Sequence, residues 1–248
     1  MNASPARSQQ AALADVTAVV LAGGRGERLM PLTESVPKPL VPLRGRPILE
    51  HLLRYLAGCG MRSFVLCTGY RAEAIAAFAA SLRPEIPDIL CVDSGPDASM
   101  TDRLADARGH AGSRALVCYG DTLARVDLAA LLAGHVAAGR LATLTVHPLR
   151  SPFGIVDVDE AGMVAAFREK PELPYWINIG FLVCERAALD AIAPGSDMPR
   201  FLGGLGARGQ LRAHFHRGAH LTVNTARERA AAEAELDTFY TLPEQELP

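Results

Sequence analysis

Residues able to do chemistry gather early in the chain, in the stretch LAGGRGERLMPLTESVPKPLVPL from Leu21 to Leu43. Gly23, Gly24 and Gly26 strip side chains from one loop, while Arg25, Arg28 and Lys38 supply positive charge. Such glycines let backbone N–H groups close on phosphate oxygens, and the cations neutralise them. A P-loop requires G-x-x-x-x-G-K-[ST], a spacing the chain lacks. A dinucleotide fingerprint requires G-x-G-x-x-G, but GGRGERL puts Arg28 where close helix packing needs a small residue. Pro31 also prevents a long helix from starting directly behind the loop. A third design remains, in which N–H groups and cations wrap a triphosphate. Pro37, Pro39 and Pro42 exclude a helix around Lys38 and predict a stiff extended segment carrying that lysine. Arg25 and Glu27 read as solvated.

The elements that must position this loop follow from hydrophobic periodicity. VTAVVLA (16–22) is an apolar strand running into the glycines, and PILEHLLRYLAGCG (47–60) has helical spacing with proline at its start and glycine at its end. Strands are expected at SFVLCTGY (63–70), DILCVDS (88–94), RALVCYGD (114–121) and LATLTVHP (141–148). Helices are expected at AEAIAAFAASL (72–82) and DLAALLAGHVAAG (127–139). Continuous apolar strands alternating with helices imply an α/β fold, a Rossmann-like, mostly parallel sheet covered on both faces. After Pro148 the rhythm changes. A hairpin turning at Glu160–Gly162, a strand YWINIGFLVC (175–184), two short strands QLRAHFHR (210–217) and HLTVN (220–224), and a closing helix from Ala226 to about Tyr240 make the sheet mixed. No linker or repeat interrupts residues 15–248, which read as a single domain behind a loose tail at 1–14.

A formal net charge of −2 without a basic stripe argues against nucleic acid or an anionic membrane as partner. No apolar run reaches membrane-spanning length, and the polar start of the chain has no signal-peptide core. Five cysteines, Cys59, Cys67, Cys91, Cys118 and Cys184, form no C-x-x-C pair and lie mostly in apolar runs. They read as buried thiols of a cytoplasmic protein. His214, His216 and His220 surround Gly218, with His214 and His216 on one strand face, but no carboxylate or cysteine joins them as a metal set. Arg229 and Glu233 form an i,i+4 pair on the last helix, an exposed face or a contact in a homo-oligomer.

Four ordered motifs give the chain a likeness. LAGGRGERLMPLT…PKPLVPL, YGD at 119–121, FREKP at 167–171 and NIG at 178–180 together resemble the signature of the sugar-nucleotide pyrophosphorylases, and the likeness runs from Val16 to the last helix. VDSGPDASMTDRL (92–104) looks most like the glucose-1-phosphate cytidylyltransferases, with FG at 153–154 and Asn-Thr-Ala-Arg at 224–227 also falling in place. The resemblance implies a Mg²⁺-dependent transfer. A sugar 1-phosphate oxygen attacks the α-phosphorus of a nucleoside triphosphate, CTP first among them, and pyrophosphate leaves. Arg28, Lys38, Asp121 and Lys170 would be the catalytic set. Leu21, Ala22, Gly23, Gly24, Gly26 and Gly120 would line the nucleotide, with Thr101 and Arg103 reading base or triphosphate. Glu169, Lys170, Asn178 and Gly180 would hold the sugar phosphate. Asp121, at the carboxyl end of a buried strand, is placed where open sheets bind ligands and would hold the metal.

The chain also departs from that pattern. ASMTDRL is one residue short and carries Asp102 where glycine is usual. Asn224 stands where the family usually has a second metal-binding aspartate. It therefore reads either as a weak metal ligand or as the N-cap of the helix beginning near Ala226. Alternatives stay open: the same chemistry with another base or a non-glucose phosphate, or a catalytically impaired binding or regulatory homologue.

Overall fold

The computed structural model describes residues 12–86 and 88–241. Its centre is a seven-stranded sheet built from β1 (Thr17–Leu21), β2 (Ser63–Thr68), β3 (Ile89–Asp93), β4 (Arg114–Tyr119), β6 (Ala142–Arg150), β9 (Glu172–Glu185) and β10 (Leu211–Phe215). The order across it is β10-β6-β9-β4-β1-β2-β3, and only β9 runs against the rest. Three small ladders complete the β structure. β5 (Thr122–Ala124) pairs with β11 (His220–Thr222), β7 (Ile155–Val158) with β8 (Val164–Arg168), and Pro42–Leu43 with Arg46–Pro47.

Alternation along the strands sorts the core into two layers. Ala18, Val20, Phe64, Leu66, Leu116, Cys118, Phe181 and Val183 face one side. There they meet α1 (Ile48–Gly58), α2 (Ala72–Leu82), α4 (Leu128–Ala138) and α7 (Ala226–Thr241). Val19, Val65, Cys67, Ala115, Val117, Leu182 and Cys184 face the other side, against α3 (Met100–Ala107), α5 (Arg186–Asp190) and α6 (Met198–Ala207). Burial on both faces is what parallel strands require.

Most expected elements fall where the periodicity put them, and α2 begins and ends at Ala72 and Leu82 as read. The hairpin β7–β8 turns through Asp159–Met163, with Met163 N–H also donating to the Asp159 carboxylate at 2.8 Å. Three of these helices, α3, α5 and α6, are not among those expected. Of these, α3 opens on a capping box in which Ser99 and Asp102 bond each other's backbone N–H. Helix α6 opens on Asp197, whose side chain accepts from Arg200 N, with proline in its first turn.

The expected tail at 1–14 is shorter at its inner end. Residues 12–14 form a helical turn and Leu13 is buried in the core; residues 1–11 lie outside the described part of the chain. The face of α7 bearing Arg229 and Glu233 is tied inward. Arg229 pairs with Glu233 at 3.2 Å and donates to the carbonyl of Pro42 at 3.1 Å. Arg44 pairs with Asp237 of the same helix, while Leu236 and Phe239 sit in the core.

Candidate active site

At the carboxyl edge of β1 and β4 lies a cleft of about 620 Å³, walled by the Leu21–Arg28 loop, Lys38, Pro39, Met100, Arg103, Tyr119 and Asp121. Short backbone bonds hold the loop to its neighbours. Ala22 N–H donates to Cys67 O at 2.9 Å, Gly120 N–H to Leu21 O at 3.0 Å, and Tyr70 N–H to Gly23 O at 3.0 Å. Gly26 has φ of 68°, and a Cβ there would lie 2.7 Å from Lys38 Cβ, so only glycine permits both the turn and the lysine stem. Lys38 is not on an extended segment as expected. It opens a single 3₁₀ turn, Lys38–Leu40, closed by Leu40 N–H donating to Pro37 O at 2.8 Å. The prolines exclude a longer helix but fit the start of one tight turn.

Lys38 is buried, and its ammonium donates to Asp121 Oδ2 at 2.5 Å and to Asn224 Oδ1 at 2.9 Å. Arg28 Nη2 donates to the same Asn224 oxygen at 2.9 Å. Four residues from the start, middle and end of the chain thus form one polar array. The ladder β5–β11 makes this possible: Thr222 lies opposite Thr122, which brings Asn224 alongside Asp121. The helix-capping reading of Asn224 does not hold. Thr225 Oγ1 accepts the Glu228 N–H at 3.1 Å and so caps α7, while Glu228 accepts the Asn224 N–H at 2.8 Å.

A metal ion fits this array at one residue. Asp121 has a side chain 31% exposed toward the cleft, and among the described residues its Oδ1 receives only a long 3.4 Å bond from Thr122. Hard divalent ions accept such a carboxylate with phosphate and water oxygens completing the shell. Asn224 is less suited as a ligand, because its oxygen already receives two cations. Among the described residues, no group of three or more His, Cys, Asp or Glu side chains could hold a metal.

Thr101 and Arg103, which the likeness implied would read base or triphosphate, are both engaged within the protein. Thr101 is fully buried and donates to the carbonyl of Ser196, locking α3 to the turn before α6. Arg103 reaches the cleft wall, but its guanidinium is committed to backbone. Nε donates to Thr68 O at 3.2 Å, Nη2 to Gly23 O and Gly95 O at 3.0 and 2.9 Å, and Nη1 to the carbonyls of Ala98 and Ser99. Burial pulls its pKa below the usual arginine range. A Cβ on Gly23 would lie 2.2 Å from Arg103 Nε, and one on Gly69 2.3 Å from Nη2, so both positions are bare to admit this side chain. Arg103 therefore fastens the loops after β1, β2 and β3 into one platform.

Across β4, Asn178 accepts the Gly180 N–H at 2.8 Å and donates to the Tyr119 hydroxyl at 3.1 Å. Gly180 (φ 77°) lies against the Tyr119 ring, which a Cβ would approach to 2.6 Å. Tyr119, overlooked beside its neighbours in YGD, thus links Asn178 to the cleft; burial raises its pKa above the usual tyrosine value. Glu169 and Lys170 stand apart from the cleft wall at the base of the hairpin. Their side chains are 63% and 60% exposed and 3.9 Å from each other. Gly154 of the FG pair is bare beneath the Phe167 ring. Arg25 is partnered rather than merely solvated, with Asp97 at 2.9 Å.

Known proteins extend these observations. The chain is 32% identical to glucose-1-phosphate cytidylyltransferase of Salmonella typhi, over 87% of this chain and 94% of that one. It is 37% identical to mannose-1-phosphate guanylyltransferase of Mycobacterium tuberculosis, over 74% of this chain and 52% of that one. Among solved structures, HddC from Yersinia pseudotuberculosis, complexed with GMP-PN, superposes with a TM-score of 0.69 at 18% identity, covering 89% of this chain and 99% of that one. This shared architecture places the sheet among those of the nucleotide-diphospho-sugar transferases. Residues 17–200 match the nucleotidyl transferase family, and the chain belongs to it.

Proposed function

We propose that the protein joins a nucleoside triphosphate, by preference CTP, to a sugar 1-phosphate, giving a nucleoside-diphosphate sugar and pyrophosphate. The observation that carries this reading is the Arg28–Lys38–Asp121–Asn224 array at the foot of a glycine loop. A phosphate oxygen of the sugar phosphate forms a bond to the α-phosphorus as the bond from that phosphorus to the bridging oxygen breaks. Pyrophosphate carries the electron pair away. Two polyanions must approach, so positioned positive charge is the main requirement. Lys38 and Arg28 turn from their present acceptors toward the triphosphate, and the loop N–H groups orient it. Mg²⁺ held by Asp121 would neutralise charge on the phosphate oxygens. Lys170 and Glu169, exposed and joined only by a loose ion pair at 3.9 Å, would meet the sugar phosphate when it arrives, together with Asn178.

The choice of CTP is supported by the cytidylyltransferase relative, which matches along nearly its full length, whereas the guanylyltransferase matches over about half of its own. The base would rest on the platform that Arg103 builds. We place the enzyme in the cytoplasm; no disulfide joins any of its five cysteines, and no helix among the described residues is long and apolar enough to cross a membrane. A second reading, an impaired binding or regulatory homologue, is favoured by Asn224 alone. Pyrophosphate release across four nucleoside triphosphates and a panel of sugar 1-phosphates tests both. CTP-dependent release is expected; preference for another triphosphate would overturn the base assignment. Binding without release would establish the impaired homologue.

A further inference from the structure

The acceptor side holds an aromatic group for which the reaction above has no role. Trp176 is the chain's single tryptophan and precedes Asn178 by two residues on β9. The register with β6 runs unbroken from Trp176–Pro148 to Asn178–Val146, so both side chains leave the same face. Phe215 of β10 is paired with Val146 and shares that face. At a strand rise of about 3.3 Å per residue, the indole starts roughly 7 Å farther out than the amide of Asn178. Asn178 in turn bonds the Tyr119 hydroxyl beside the cleft.

Trp176 is braced without being buried. The Phe215 ring meets it edge-on with centroids 4.6 Å apart. The Arg217 guanidinium lies 5.0 Å from its centroid and is itself held by Glu172 at 3.2 Å. Even so, Trp176 is 41% exposed and Phe215 61%. Leaving so much aromatic surface in water forgoes hydrophobic free energy that burial would provide. A ring whose orientation is fixed in advance lowers the ordering cost for a ligand that lands on it. The negative face of an indole suits the positively polarised C–H bonds on one face of a pyranose. Position selects the acceptor over the nucleotide. The glycine loops follow β1, β2 and β3, whereas Trp176 belongs to the β9, β6, β10 half on the other side of β4.

We propose that Trp176, held by Phe215 and Arg217, is a specificity-determining residue that stacks on the sugar ring of the 1-phosphate acceptor. This inference rests on the functional reading above and assigns a subsite within it. With one tryptophan in the chain, emission excited beyond the absorption of the five tyrosines reports on this position alone. Titration with glucose 1-phosphate is expected to change the emission saturably, and inorganic phosphate to leave it unchanged. Trp176→Ala is expected to raise KM for the sugar phosphate about tenfold, with kcat and KM for CTP unchanged. Trp176→Phe should restore most of that loss, and melting curves should show both variants folded. Turnover by the unaltered protein with unmoved fluorescence, and an unmoved KM in Trp176→Ala, would overturn this inference and leave the functional reading standing. Emission that follows protein concentration and ignores sugar phosphate would overturn it too, marking the patch as an interface between copies. If the unaltered protein neither turns over nor binds any sugar phosphate, both the reading and the inference fall.

Discussion

The two sides of β4 are finished to different degrees. On the β1–β3 side, Arg103 draws three loops together and every donor of its guanidinium ends on a carbonyl. On the β9–β6–β10 side, Glu169 and Lys170 are exposed, and aromatic rings lie open to water. A triphosphate binds mainly through features common to all nucleotides, so a rigid cradle built from backbone suffices. A sugar is recognised by hydroxyls and ring faces, and the residues proposed for that task keep free surface. One half is held together by its own backbone; the other, on the proposed function, would be completed by its ligand.

Asp121 stands where the halves meet, and its loss should have the largest effect. Asp121→Asn is expected to lower kcat about 10²–10³-fold with the melting temperature nearly unchanged, because an amide is a poor partner for both Lys38 and a hard metal ion. Near-normal pyrophosphate release by this variant would show that the halves are joined elsewhere. Arg103→Ala should damage only the finished half. Stranding several buried carbonyls is expected to cost roughly 3 kcal/mol in denaturant unfolding and to raise KM for the nucleotide, with KM for the sugar phosphate unmoved. An equal rise in both KM values would dissolve the distinction.

Acid should test the layer beneath the acceptor half. His220 is held neutral, its pKa lowered to about 4 by burial and then by the neighbouring His147 and His216. Its rings lie 5.2 Å from His147, and His147 lies 6.0 Å from His216. In the unfolded chain His220 takes up a proton near pH 6.5, so stability falls as pH drops from 6.5 toward 4, by up to about 3 kcal/mol. His220→Gln should flatten that decline when unfolding is followed at several pH values; an unchanged slope would assign it to other groups. Lys170→Ala is the mirror of Arg103→Ala. It should leave stability intact and raise KM for the sugar phosphate about tenfold or more, as expected for loss of a charged hydrogen bond. The smallest effect is expected from Asn224→Asp, which adds a carboxylate beside Asp121 and should lower the Mg²⁺ concentration for half-maximal rate several-fold in a metal titration. An unchanged titration would mean that this position serves only Arg28 and Lys38.

The same division governed what could be read from the sequence. Strands and helices with a clear period, such as Ala72–Leu82, were legible because one face of each is buried. Helix α6 was hidden by Gly203, Gly204 and Gly206, whose low helix propensity is overridden by Asp197 capping and by burial of Met198, Phe201 and Leu205. The signal for α3 lies in Ser99 and Asp102, three residues apart, the spacing of a capping box. Lys38, Asp121 and Asn224 were recognisable because each is a polar side chain in a motif. Arg103's work was not legible: its partners are carbonyls at Gly23, Thr68, Gly95, Ala98 and Ser99, and every residue has one. Nothing in the sequence of Thr101 points to Ser196 either, since a contact of that kind exists only once α3 and α6 lie side by side.

Asn224 is 196 residues from Arg28 and 186 from Lys38. A ribosome delivers the chain from its amino end, so the glycine loop, β1 and even Asp121 emerge long before their last companion does. Until β11 has paired with β5, Asn224 is not held beside Asp121 and Lys38 lacks its second acceptor. The order of synthesis therefore acts as a timer: the glycine loop can take shape early, but the charge-handling array closes only after Asn224 has emerged.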